Sequence, residues 1–87
     1  MKFQGALIKH QGITFGIIVV TPSALQSITD REKMTLFGRR VFGPIPIVLA
    51  APGSRGTIKY WGPQNIVSFL SKVPASSIQW KQYRLVA

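Results

Sequence analysis

The apolar positions of this chain fall into short runs of two kinds. Phe3 to His10 reads as a first strand, and Ile13 to Val20 is an almost unbroken apolar, β-branched run that suits a strand covered on both faces. Gln11-Gly12 supplies a turn between them, so the pair predicts an antiparallel hairpin. Gly16, inside the second run, marks a bulge or a close backbone approach.

The period then changes. Thr21-Pro22 starts a helical turn, with Thr21 as N-cap and Pro22 at the first helical position. Thr29-Asp30-Arg31-Glu32 has the form of a capping box, in which the Thr29 hydroxyl and the Glu32 carboxylate satisfy each other's backbone N–H groups. The helix it opens carries Met34, Phe37 and Val41 on one face, and Gly38 is expected to weaken or end it. Phe42-Gly43-Pro44-Ile45-Pro46 is a rigid connection, followed by a buried strand over Ile47 to Ala51. Pro52 to Gly56 is a turn. Thr57 to Trp61 returns antiparallel, with Ile58 and Tyr60 on one face and Thr57, Lys59 and Trp61 on the other.

Gly62-Pro63 opens a second helix that runs to about Lys72, with Ile66, Val67, Leu70 and Val73 as its stripe and Pro74 as its stop. Ile78 to Val86 reads as the last strand, with Trp80, Gln82 and Arg84 facing one way and Gln79, Lys81 and Tyr83 the other. The expected fold is α+β: one domain over residues 1–87, with a mixed sheet of four or five strands, two helices and the order β-β-α-β-β-α-β. A right-handed crossover would join the parallel strands.

Composition narrows the chemistry. Of the 87 residues, 46% are hydrophobic, which separates the chain from disordered basic tails. With no cysteine, disulfides, zinc–thiolate sites, iron–sulfur clusters and thiol nucleophiles are excluded. The beginning, Met1 to Ala6, lacks the apolar core of a signal peptide. Apolar runs such as Ile17 to Val20 fall far short of the ~20 residues of a membrane span. A cytoplasmic protein without a membrane span is expected.

Charge changes the picture most. Lys and Arg number 11 against two acids, Asp30 and Glu32, for a net charge of +9. Both acids are explained as helix-start residues, where the dipole favours negative charge. One histidine and two neighbouring acids are too few for a catalytic triad, a carboxylate pair or a zinc site. His10, beside the turn, is expected to be solvent-exposed, with a pH switch as its functional alternative. Gly53-Ser54-Arg55-Gly56 lacks the spacing of a phosphate-binding loop and leads into a strand, so it is a hairpin turn whose Arg55 can still reach a phosphate. The expectation is a protein that is not an enzyme and carries no cofactor or metal.

A positive field of this size favours a polyanion. The candidate contacts are Arg39 and Arg40 at a helix end, Arg55 at a turn, Lys59 and Trp61 on one strand, and Trp80, Lys81 and Arg84 on the last. Basic and aromatic residues interleave in the last two strands, as in the stacking platforms of single-strand binders. Strand parity limits this: Tyr60 and Trp61 point to opposite faces, as do Trp80 and Tyr83. The pairs that share a face are Trp61 with Lys59, Trp80 with Arg84, and Tyr83 with Lys81. The plainer reading places these rings in the core.

The stretches Ile45-Pro46-Ile47-Val48-Leu49, Gly53–Gly56, Lys59-Tyr60-Trp61-Gly62 and Asn65-Ile66-Val67-Ser68-Phe69-Leu70, with the tail Ile78-Gln79-Trp80-Lys81-Gln82-Tyr83, resemble a family of small bacterial proteins of the cyanobacterial type. The resemblance covers the second half of the chain and implies no known activity, so no functional residue carries over. The same half is similar in architecture to the end of a thioredoxin fold, with Pro44 or Pro46 preceding a strand, then a hairpin and a closing helix. There is no CxxC, and a hairpin replaces the usual first strand and helix, so the likeness implies no redox chemistry.

Two functions follow as expectations. The first is a non-enzymatic basic module that contacts RNA or single-stranded DNA; about five neutralised phosphates would give a log–log salt slope near −4. The second is a protein-interaction domain that docks on an acidic partner or self-associates as a homo-oligomer. A membrane-surface role ranks below both, because no strongly amphipathic basic helix is present.

Overall fold

The β1–β2 hairpin sets the centre of the sheet. A computed structural model describes residues 2–84. β1 (Lys2–His10) and β2 (Ile13–Val19) pair antiparallel, with Gly5 opposite Ile18 and His10 opposite Ile13. Gln11 and Gly12 both take positive φ, 50° and 79°, as the two-residue turn whose twist matches the strands requires. β2 then feeds α1 (Pro22–Gln26), whose N-cap is Thr21: its hydroxyl accepts from the Ala24 N–H at 3.3 Å.

α2 (Ile28–Phe42) begins earlier than the expected capping box. Ser27, in an extended conformation, is the N-cap and accepts from the Asp30 N–H at 3.3 Å, so neither Thr29 nor Glu32 takes the expected capping position. The chain leaves α1 at Ser27 itself, which puts that hydroxyl at the new helix start before Thr29 is reached. Asp30 still lies in the first turn and Arg39 and Arg40 in the last, each at the end its charge favours.

β3 (Ile47–Pro52) lies parallel to β2, and β4 (Ile58–Trp61) turns back antiparallel to β3. α3 (Gln64–Leu70) follows, and β5 (Lys81–Arg84) pairs antiparallel with β1. The sheet order is β4-β3-β2-β1-β5, which makes β2 the central strand and β4 and β5 the edges. This is the expected mixed α+β domain, with its order β-β-α-β-β-α-β. The last strand starts later than expected: Ile78 is buried beyond a 3₁₀ turn at Ala75–Ser77, and the Trp80 N–H bonds the Ile78 carbonyl, which turns this stretch away from strand pairing. Positions 85 and 86 of the expected strand lie outside the described residues.

Strand parity divides the core in two. Phe3, Ile18, Val20, Ile47, Leu49 and Ala51 face α1 and α2, where Met34, Phe37 and Val41 meet them as the stripe predicted. Ala6, Phe15, Ile17, Val48 and Ala50 face α3, which seats Ile66 and Leu70 on them. Phe69, not Val67, completes the α3 stripe, because the helix turns the position three residues after Ile66 toward the sheet. Each buried aliphatic side chain contributes about 1.5–3 kcal/mol.

Gly38 does not end α2. It lies in the middle of the helix and is buried, where a Cβ would come within 2.6 Å of Ile18 Cδ1 and 2.8 Å of Ile47 Cγ2. Gly16 plays the matching part in the sheet: it is the expected close approach, but to the Phe42 ring, which would lie 2.6 Å from a Cβ there.

Gly38→Ala therefore sets a gain of about 1 kcal/mol in helix propensity against an overpacking cost of about 1–3 kcal/mol. Ile18 and Ile47 are themselves enclosed, so net destabilisation is expected, read as a lower urea midpoint at unchanged slope. A raised midpoint would overturn the close-approach account.

Candidate nucleic-acid interface

The eight residues singled out from the sequence do not form one surface. Arg39, Lys59 and Trp61 come together at the β4 edge. Lys81 and Arg84 lie on β5, at the opposite edge of the sheet. Arg40 is exposed on the last turn of α2, and Arg55 is exposed at the β3–β4 turn with φ 57°.

Trp61 is the centre of the first group. Parity turns it and Lys59 to the α2 side of the sheet, while Ile58 and Tyr60 pack on the α3 side. It keeps 38% of its surface exposed. One groove, of about 600 Å³, runs between Trp61 and the start of β3, lined by Thr35, Arg39, Pro44 to Ile47 and Pro63. A second, of about 460 Å³, is lined by Pro22, Leu25, Gln26, Lys59 and again Trp61. Trp61 is thus common to both grooves, with a cation in the lining of each.

Arg31 completes the group, and sequence reasoning missed it. Its guanidinium carbon lies 5.0 Å from the Trp61 ring centroid, a cation–π contact worth about 0.5–1 kcal/mol at an exposed site. Its Nε donates to the Ser27 carbonyl at 3.4 Å, which ties the side chain to the helix start. The signal that could have revealed it is the spacing Arg31, Thr35, Arg39, one helical flank at i, i+4, i+8. In the capping-box pattern Arg31 is only a spacer between Asp30 and Glu32, which hides it.

The second ring, Trp80, is half-buried. Its Nε1–H donates to the Ala75 carbonyl at 3.2 Å, and the indole packs against the α3-side core. Tyr83 is occupied too: it stacks on Phe3 with centroids 5.5 Å apart and meets Phe42 edge-on at 5.0 Å. The expected pairing of Tyr83 with Lys81 as a stacking site therefore fails, because the phenol ring belongs to the aromatic cluster under α2.

His10 also departs from expectation. It is half-buried, not free in solvent, and its imidazole stacks on Phe69 with centroids 3.7 Å apart and planes 17° from parallel. Among the described residues no cluster of His, Asp and Glu could hold a metal ion, and no helix is long and apolar enough to cross a membrane. No family model, curated protein or solved structure matches the chain.

Two predictions follow from these side chains. His10→Ala removes a stacked pair worth about 0.5–1.5 kcal/mol beyond its burial; a lower thermal midpoint is expected, and an unchanged one would mean the stack contributes nothing. Burial raises the Tyr60 phenol above its ordinary value of 10.0. The folded state then holds this proton more tightly than the unfolded chain, so its contribution is complete below pH about 10 and is lost as pH climbs through the raised value. Tyr60→Phe should flatten the alkaline limb of stability in urea titrations across that range, and an identical limb in both proteins would refute the assignment.

Proposed function

We propose that the protein is a non-enzymatic nucleic-acid-binding module that engages RNA or single-stranded DNA at the β4 edge. The observation that supports this most is the gathering of Arg31, Arg39 and Lys59 around the exposed indole of Trp61. Stacking on an aromatic ring needs an unpaired base, and cations flanking the ring suit the phosphates on either side of that base. Arg55, beyond Lys59 at the β3–β4 turn, extends the basic edge by one more contact. Arg31 holds the indole in place before any ligand arrives, which reduces the ordering cost of binding.

The outer rim of β4 supports a second reading. β4 is an edge strand, and a protein partner could add a strand beside it, with side chains entering the grooves on either side of Trp61.

Anisotropy of a labelled random single-stranded oligonucleotide separates the two. Four phosphate contacts predict a log–log salt slope of about −3. Trp61→Ala should cost about 1–3 kcal/mol of binding, while Arg39→Gln and Lys59→Gln should each make the slope shallower by roughly 0.7. Absence of binding at low salt would sink the nucleic-acid reading and leave strand addition.

A further inference from the structure

The α3 side of the sheet is only half covered. α3 has seven residues, and it seats Ile66 and Leu70 over one part of that face. Beyond it, at the carboxyl ends of the parallel strands β2 and β3, Gln4, Val19, Ala50, Pro52 and Ile58 line a hollow of about 260 Å³ together with Trp80. The Trp80 donor is already bonded to Ala75, so a ligand there would meet the ring as an apolar surface.

The register sets a polar ladder beside this hollow. Gln4 stands directly opposite Gln82, and Lys2 directly opposite Arg84; all four are exposed and share the α3 side. Cations facing each other across an antiparallel pair repel at about 5 Å between Cβ atoms. Among the described residues no acid on this face offsets them: Asp30 and Glu32, the only acidic side chains in the sequence, are both on α2, which packs on the other side. An apolar hollow, two amides that can each donate and accept, and an uncompensated pair of cations stand in a row.

We propose that this half-face is a second nucleotide subsite, which takes a base in the hollow against Trp80, the base's polar edge on Gln4 and Gln82, and its phosphate between Lys2 and Arg84. The inference rests on the nucleic-acid reading for the class of partner, but on none of the residues around Trp61. With the β4 edge on the α2 side and this subsite on the α3 side, one molecule holds two nucleic-acid segments at once. The cross-strand repulsion is the standing cost of a site that a phosphate completes.

Native mass spectrometry with a fluorescein-labelled single-stranded trinucleotide, too short to span both sites, counts the segments bound. Two per protein are expected. The Lys2→Gln/Arg84→Gln double variant should bind one and, freed of the repulsion, should show a thermal midpoint at or above that of the parent without ligand. Trp61→Ala should also bind one, and that one should be lost when all three changes are combined. If the parent binds a single trinucleotide that depends on Trp61 and is indifferent to Lys2→Gln/Arg84→Gln, this subsite is refuted and the β4 reading stands. If binding depends on Lys2 and Arg84 but not on Trp61, the subsite stands and the β4 reading fails. No binding to any variant, at low salt, overturns both.

Discussion

How near α2 can come to the sheet governs everything else in this molecule. The approach is set by two glycines: Gly38 on the helix, against Ile18 and Ile47, and Gly16 on the central strand, under the Phe42 ring. Interiors of proteins are packed as densely as organic crystals, so the helix cannot lift off one side chain without losing contact with many. With α2 held at this distance, Phe37 and Phe42 reach Phe3, and Phe3 and Phe42 in turn hold Tyr83 of the last strand. The closure of the sheet by β5 is thus tied to the same contact. So is the position of Arg31, which reaches Trp61 only because its helix lies low over the sheet.

The two faces are covered unequally, and this asymmetry has a simple origin in chain length. The crossover from β2 to β3 contains α1 and α2, while the connection from β4 to β5 contains only α3 and a 3₁₀ turn. A short helix cannot cover a five-stranded sheet. On one side the sheet is buried and the exposed cations and indole gather at the rim, around Trp61. On the other side part of the face itself stays open, with the Trp80 ring beside the hollow. The same basic composition is therefore displayed in two different ways, as an edge and as a floor.

Much of this was legible in the chain. The β1–β2 turn, the Thr21-Pro22 helix start, the Met34–Phe37–Val41 stripe and the opposite facing of Tyr60 and Trp61 all follow from local rules, and local rules are what a sequence displays most directly. The pairing of Trp61 with Lys59 on one face was legible for the same reason. What could not be read was anything that depends on sheet order. Lys2 and Arg84 are separated by nearly the whole chain and become neighbours only because β5 returns beside β1. Tyr83 reads as a surface aromatic until Phe3 and Phe42 close around it. Ser27 lost the capping role to Thr29 on sequence pattern because the short α1 before it left no periodic signal of where the next helix must begin. Helix propensity marks Gly38 only as a weak point, whereas the close approach of Ile18 and Ile47 explains it.

The short edge strands carry a consequence for how copies of this molecule meet. Among the described residues β4 and β5 each have four residues and an edge with no strand beside it, the kind of rim from which sheets grow into aggregates. Lys81 and Arg84 stand at the two ends of β5, so two β5 strands pairing antiparallel would line the cations of one copy along the rim beside those of the other. Charge thus guards the rim that backbone geometry leaves open, and the guard is electrostatic, so it weakens with ionic strength. A polyanion that neutralises these cations lowers the same barrier. Were such a polyanion bound, occupancy and self-association would not be independent events: the molecule would be most solitary when empty, and a loaded surface would also be one on which a second copy could settle.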